Sequence, residues 1–267
     1  MRMSSLVCLA TVALPLLLGG CPRPANGVPA GADPEKVSRA EFDLAQDDWK
    51  HGRLRSAMEH AQKASSADDS HAEAHHFVAI LYMALCQIEN DCRWDEAEKY
   101  ARKAVTADPE YRPAKHTLGV VLIQEKKYDE AIVILRPLAE DIIYKTPELA
   151  WYDLGGAHLE KGDADHAIEA LTKAVALKPS FCWANYRLGL AWEKKGMFGK
   201  AEEELSNAVE PMDPACRNLQ DAYEARGRIR EKTGKRDLAK HDYETCARLS
   251  MATPIGKNCV EGYKRIP

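Results

Sequence analysis

Residues 150–179 read AWYDLGGAHLEKGDADHAIEALTKAVALKP. Trp151, Leu154 and Gly155 fall at helical spacing on one stripe, and Ala167, Leu171 and Ala174 fall on another. Gly162 separates them where the chain must leave helical geometry, and Pro179 ends the second run. The segment is therefore a helical hairpin. Its features recur along the chain with a period near 34, which marks stacked helix pairs. The small residue of the first helix is Ala45, Ala79, Gly119, Gly155, Gly189 and Gly227. Further along, twelve residues on in every copy but the longer second one, alanine recurs as Ala57, Ala97, Ala131, Ala167, Ala201 and Ala239. Small side chains at both places let paired helices approach closely. The fold class expected is all-α, an α-α superhelix or solenoid of about six helical hairpins.

These residues resemble the tetratricopeptide family, over about Ser38 to Thr253. The copies are set at 38–71, 72–111, 112–147, 148–181, 182–215 and 220–253, with a C-terminal segment at 254–267. The resemblance implies antiparallel helix pairs in a right-handed superhelix whose first helices line a concave groove. Positions 2, 5, 9 and 12 of each copy should face that groove. They are Phe42 and Trp49 in copy one, His76, Ile80 and Met83 in copy two, and His116, Val120 and Ile123 in copy three. Leu149, Tyr152 and Leu159 follow in copy four, and Trp183, Tyr186 and Leu190 in copy five. Copy six changes to Asp221, Glu224, Arg228 and Glu231. An apolar, aromatic groove suits an amphipathic helix or apolar strand of a protein partner better than a charged peptide tail.

At the N-terminus, Arg2 precedes an apolar run from Leu6 to Leu18, and Leu18-Gly19-Gly20-Cys21 follows. Thirteen residues at about 1.5 Å each cannot cross a bilayer core of about 30 Å, so residues 1–20 read as a removable signal segment. The ending resembles the bacterial lipobox, which implies covalent lipid on Cys21 and a membrane anchor. Residues 22–36, PRPANGVPAGADPEK, are a proline-rich linker that could extend about 45 Å. The chain's formal charge is −4, which offers no electrostatic footprint for nucleic acid. From Arg217 onward, however, 12 basic residues face 7 acidic ones, and this end reads either as solvated helix faces or as a basic surface for an acidic partner or lipid headgroups.

Without Cys8 and Cys21, six cysteines remain: Cys86, Cys92, Cys182, Cys216, Cys246 and Cys259. An even number in an exported chain suggests disulfides. Cys86 and Cys92 bracket the extra residues of copy two, Cys182 and Cys216 stand one repeat apart, and Cys246 with Cys259 would fasten the C-terminal segment. A Cys216–Cys246 pair, or a free buried Cys246, competes with that scheme. No cysteine spacing fits a zinc site, and His71, His75 and His76 read as surface or groove histidines, so no metal is expected. No nucleophile elbow, phosphate loop, H-E-x-x-H or dinucleotide fingerprint is present. Neither catalysis nor a small-molecule substrate is indicated, and no cofactor beyond the lipid.

A lipobox, a linker and six tetratricopeptide copies resemble, in architecture, the pilotin-like lipoproteins of type IV pilus systems. That resemblance implies an outer-membrane scaffold, lipid-anchored at the periplasmic face, that helps secretin subunits insert or assemble. Pro22 rather than aspartate after the lipidated cysteine agrees with the outer membrane. The alternative is a general envelope scaffold for cell-wall or other membrane machinery.

Overall fold

The computed structural model describes residues 28, 31–209, 216 and 218–267. The signal segment, Cys21 and most of the linker lie outside the described residues. Among those described are thirteen helices and no strand. They pair as α1 (Pro34–Lys50) with α2 (Leu54–Ala67), α3 (Ala72–Glu89) with α4 (Trp94–Ala107), and α5 (Arg112–Gln124) with α6 (Tyr128–Ala139). Then come α7 (Pro147–Lys161) with α8 (Ala164–Leu177), α9 (Cys182–Lys194) with α10 (Phe198–Val209), and α11 (Gln220–Lys232) with α12 (Arg236–Leu249). A last helix, α13 (Pro254–Arg265), packs on α12 and α11. None of these helices is long and apolar enough to cross a membrane.

The small residues are where helices of one copy touch, and they come in two matched sets. A Cβ added to Gly119 would sit 2.4 Å from Leu135 Cδ2, at Gly155 2.5 Å from Leu171 Cγ, and at Gly189 2.6 Å from Leu205 Cγ. At Gly227 the facing residue is Tyr243, whose ring is 3.0 Å away. In copies one and two the first position is Ala45 or Ala79, and the register places Ala61 and Ala101 opposite; all four are fully buried. Thus a glycine faces a large side chain and an alanine faces an alanine. The summed volume stays near what one interhelical gap admits, as close packing demands.

Turns between paired helices need one residue in the left-handed region. Gly162 takes it at φ 91° and closes α7, its N–H donating to Leu159 O at 3.1 Å. Copy three places Lys126 there, at φ 61°.

Three disulfides join Cys86 to Cys92, Cys182 to Cys216, and Cys246 to Cys259. The first clips the α3–α4 loop, the second ties the start of α9 to the segment just before α11, and the third holds α13 on α12. Around that last seam Gly262 lies against the Tyr243 ring. Gln220 Nε2 donates to Cys246 O at 2.8 Å and Ser250 O at 2.6 Å, while its Oε1 accepts from Thr253. Arg265 makes two 2.7 Å bonds to Glu231. The C-terminal segment is thus an integrated cap over the last copy.

Much of the basic excess after Arg217 is paired within the chain. Arg226 and Arg230 meet the fully buried Asp242, Arg228 and Lys232 meet Glu193, and Arg230 and Lys235 meet Glu202. Copy five supplies two of those three acceptors.

Candidate functional site

First helices touch first helices of the next copy, at α3/α5, α5/α7, α7/α9 and α9/α11, so their exposed faces form one continuous inner surface. Along it the residue at position 5 of each of copies one to four meets position 6 of the next. Phe42 packs edge-on against Phe77, with ring centroids 5.8 Å apart. His76 Nε2 lies 2.9 Å from Thr117 Oγ1. His116 Nε2 lies 2.9 Å from Asp153 Oδ2. The Arg187 guanidinium stacks 4.3 Å over the Tyr152 ring, and Gly156 makes room for it, since a Cβ there would stand 1.9 Å from Arg187 Nη1. The same joint is built four ways: aromatic edge, neutral hydrogen bond, histidine–carboxylate contact and cation–π stack.

Between these joints lie the residues expected in the groove. Ile80, Met83, Val120, Ile123 and Leu190 are half-buried, as are His116, Tyr152 and Tyr186. Trp183 is 43% exposed and Trp49 38%. Trp183 packs edge-on to Tyr186 at 6.5 Å, and Tyr152 lies 4.9 Å from Phe181. Two expected groove residues are instead buried. Leu159 is 5% exposed and is wedged among Ala167, Leu171, Leu188 and Ala191, because position 12 of copy four abuts the next copy. His76 is 8% exposed, covered by Thr117 and Tyr111. His75 is buried between Ser65 and Asp69 O, and His71 bonds Ser38, so these histidines are structural.

Burial, with His116 nearby, lowers the His76 pKa to about 4 and keeps it neutral. Burial, then Asp221 and Glu224, raises Tyr186 to about 12. Burial also raises Tyr152 and Glu224. In copy six the surface changes to charge, with Arg228 bridging Glu193 and Glu224. Position 6, which supplies Phe77, Thr117, Asp153 and Arg187, is not among the positions expected to face the groove. An aromatic ring, a hydroxyl, a carboxylate and a guanidinium share no side-chain signal beyond their place directly after groove position 5.

Tetratricopeptide repeat models match residues 93–142, 148–181 and 220–250. The fold is a tetratricopeptide-repeat superhelix. It is similar to the crystal structure of PilW, described as a widely conserved type IV pilus biogenesis factor, with TM-score 0.71 and 18% identity, covering 86% of this chain and 100% of that one. PilF of Pseudomonas aeruginosa superposes with TM-score 0.67 at 19% identity, over 85% of this chain and 98% of that one. At such identities the likeness is one of fold. Curated relatives include BBSome complex member BBS4 of Bos taurus, 32% identical over 139 residues, 52% of this chain and 25% of that protein. A peroxisomal targeting signal receptor of Kluyveromyces lactis is 32% identical over 92 residues, 34% of this chain and 16% of that protein. The chain therefore spans a quarter or less of these curated relatives.

Proposed function

We propose that the chain is a membrane-tethered, protein-binding scaffold that assists assembly or outer-membrane insertion of the type IV pilus secretin. The observation that carries the reading is the likeness in fold to PilW, a pilus biogenesis factor by its description, over 86% of this chain and the whole of that one. The lipobox at Cys21 and the half-exposed apolar strip support it. A lipid tether and a short linker confine the scaffold to a thin layer, which raises its effective concentration beside membrane-inserting subunits. Within that layer the strip from Ile80 to Leu190 shields an apolar segment of a subunit until the oligomer buries it.

Two variants separate tether from groove. Cys21→Ala is expected to leave the fold intact and sharply reduce heat-stable secretin multimers in cells. Leu190→Glu, with unchanged circular dichroism, is expected to abolish capture of the subunit while leaving localisation alone. Normal multimers in both strains would remove the secretin reading and leave a general envelope scaffold.

A further inference from the structure

Away from the inner surface, the turn between α7 and α8 gathers two imidazoles and a carboxylate. His158 projects from the last turn of α7, Asp163 caps α8, and His166 lies in the first turn of α8. One donor atom from each lies within 4.8 Å of the others. The capping role uses one carboxylate oxygen: Asp163 Oδ1 accepts the His166 backbone N–H at 3.3 Å. The other oxygen, Oδ2, faces both rings, 2.7 Å from His166 Nδ1 and 3.3 Å from His158 Nδ1. Those rings are nearly parallel, 19° apart, with centroids at 5.0 Å.

Helix capping accounts for Asp163 and His166 but not for His158. Its side chain is 6% exposed, and its Nδ1 makes no hydrogen bond despite the nearby carboxylate. A buried Nδ1 left unpaired is costly, and in the tautomer that protonates Nε2 it is a lone pair beside a carboxylate, two electron-rich atoms that call for a cation between them. We propose that His158 Nδ1, Asp163 Oδ2 and His166 Nδ1 form a site for a late first-row divalent metal ion, with Zn²⁺ as the type. Two imidazole nitrogens and one carboxylate oxygen are a zinc-like donor set, and they leave a fourth position open for water or for a partner's side chain.

The geometry is close to what such an ion requires. Tetrahedral ligands at about 2.0–2.1 Å from zinc stand roughly 3.3 Å from each other, which is the present separation of His158 Nδ1 from Asp163 Oδ2. His166, whose side chain is 54% exposed, has the freedom to bring in the third donor. One residue opposes the ion. Arg136 Nη2 donates to His158 Nε2 at 3.2 Å, which requires the proton on Nδ1, whereas a metal on Nδ1 requires it on Nε2. Binding must therefore break that contact and turn Arg136 away.

The test uses the untagged exported chain carrying Cys21→Ala, titrated with Zn²⁺ by calorimetry and with Co²⁺ by visible absorption. One saturable equivalent with a tetrahedral cobalt spectrum is expected. His166→Gln, at an exposed position that leaves the core intact, should weaken binding at least about tenfold. Arg136→Gln, which can accept from Nε2–H, should strengthen it. Absence of saturable binding, or binding unchanged in His166→Gln, overturns the site.

Discussion

Lys126 holds the left-handed turn position that is Gly52, Gly162, Gly196 and Gly234 in four other copies. A side chain there costs about 1–2 kcal/mol, part of which glycine gives back as unfolded-chain entropy. Lys126→Gly should stabilise the protein by about 0.5–1 kcal/mol, read from the urea midpoint. At the helix contacts the same reasoning reaches further. Leu171→Ala should cost about 2–5 kcal/mol, and Gly155→Ala alone forces a Cβ within 2.5 Å of Leu171 Cγ. Together they recreate the alanine pair of copies one and two, so the double variant should lose clearly less than the sum of the singles in a double-mutant cycle. Glycine and alanine at fixed spacing made these positions legible in the sequence. Leu159 was not legible, because whether position 12 is covered depends on the size of residues such as Leu188 and Ala191 one copy later.

Contacts between successive first helices give each inter-copy joint its own response to conditions. The His76–Thr117 joint holds a neutral imidazole with a pKa of about 4. Unfolding returns it to about 6.5, so between these values the unfolded chain binds more protons and stability falls as pH drops. At pH 4.5 the loss relative to pH 7 should be about 2–3 kcal/mol, fading above pH 6.5. Denaturant midpoints across that range should show a flatter profile in His76→Gln. The Cys182–Cys216 bridge closes a separation of 34 residues, and removing it as Cys182→Ser/Cys216→Ser should cost about 3–4 kcal/mol. Hydrogen exchange should show that loss first in α11 to α13. Repeat spacing made this pairing one of the readings open at the sequence level, whereas the pairing of position 5 with position 6 was hidden. It depends on the angular step between copies, and extra residues in copy two and before α7 disguise the register.

Across the whole molecule, chemistry is distributed by region. The middle copies carry apolar and aromatic groups on the inner surface, and copy six carries ion pairs and a disulfide-fastened helix. The superhelix was readable from periodicity because every copy repeats the same steric demand. The turn holding His158, Asp163 and His166 was not, since H-x4-D-x2-H spans two helices and becomes a cluster only when the turn at Gly162 folds back. Glycine facing leucine in copies three to five, against alanine facing alanine in copies one and two, has a consequence for how such an array could change length. Exchange of helices between copies four and five keeps a knob opposite a notch, while exchange between copies two and four sets glycine against alanine or alanine against leucine. One product has a hole and the other a collision. Over copies one to five the array is thus two gauges of track laid end to end, and duplication or deletion by crossing over keeps the packing within each gauge and spoils it between them.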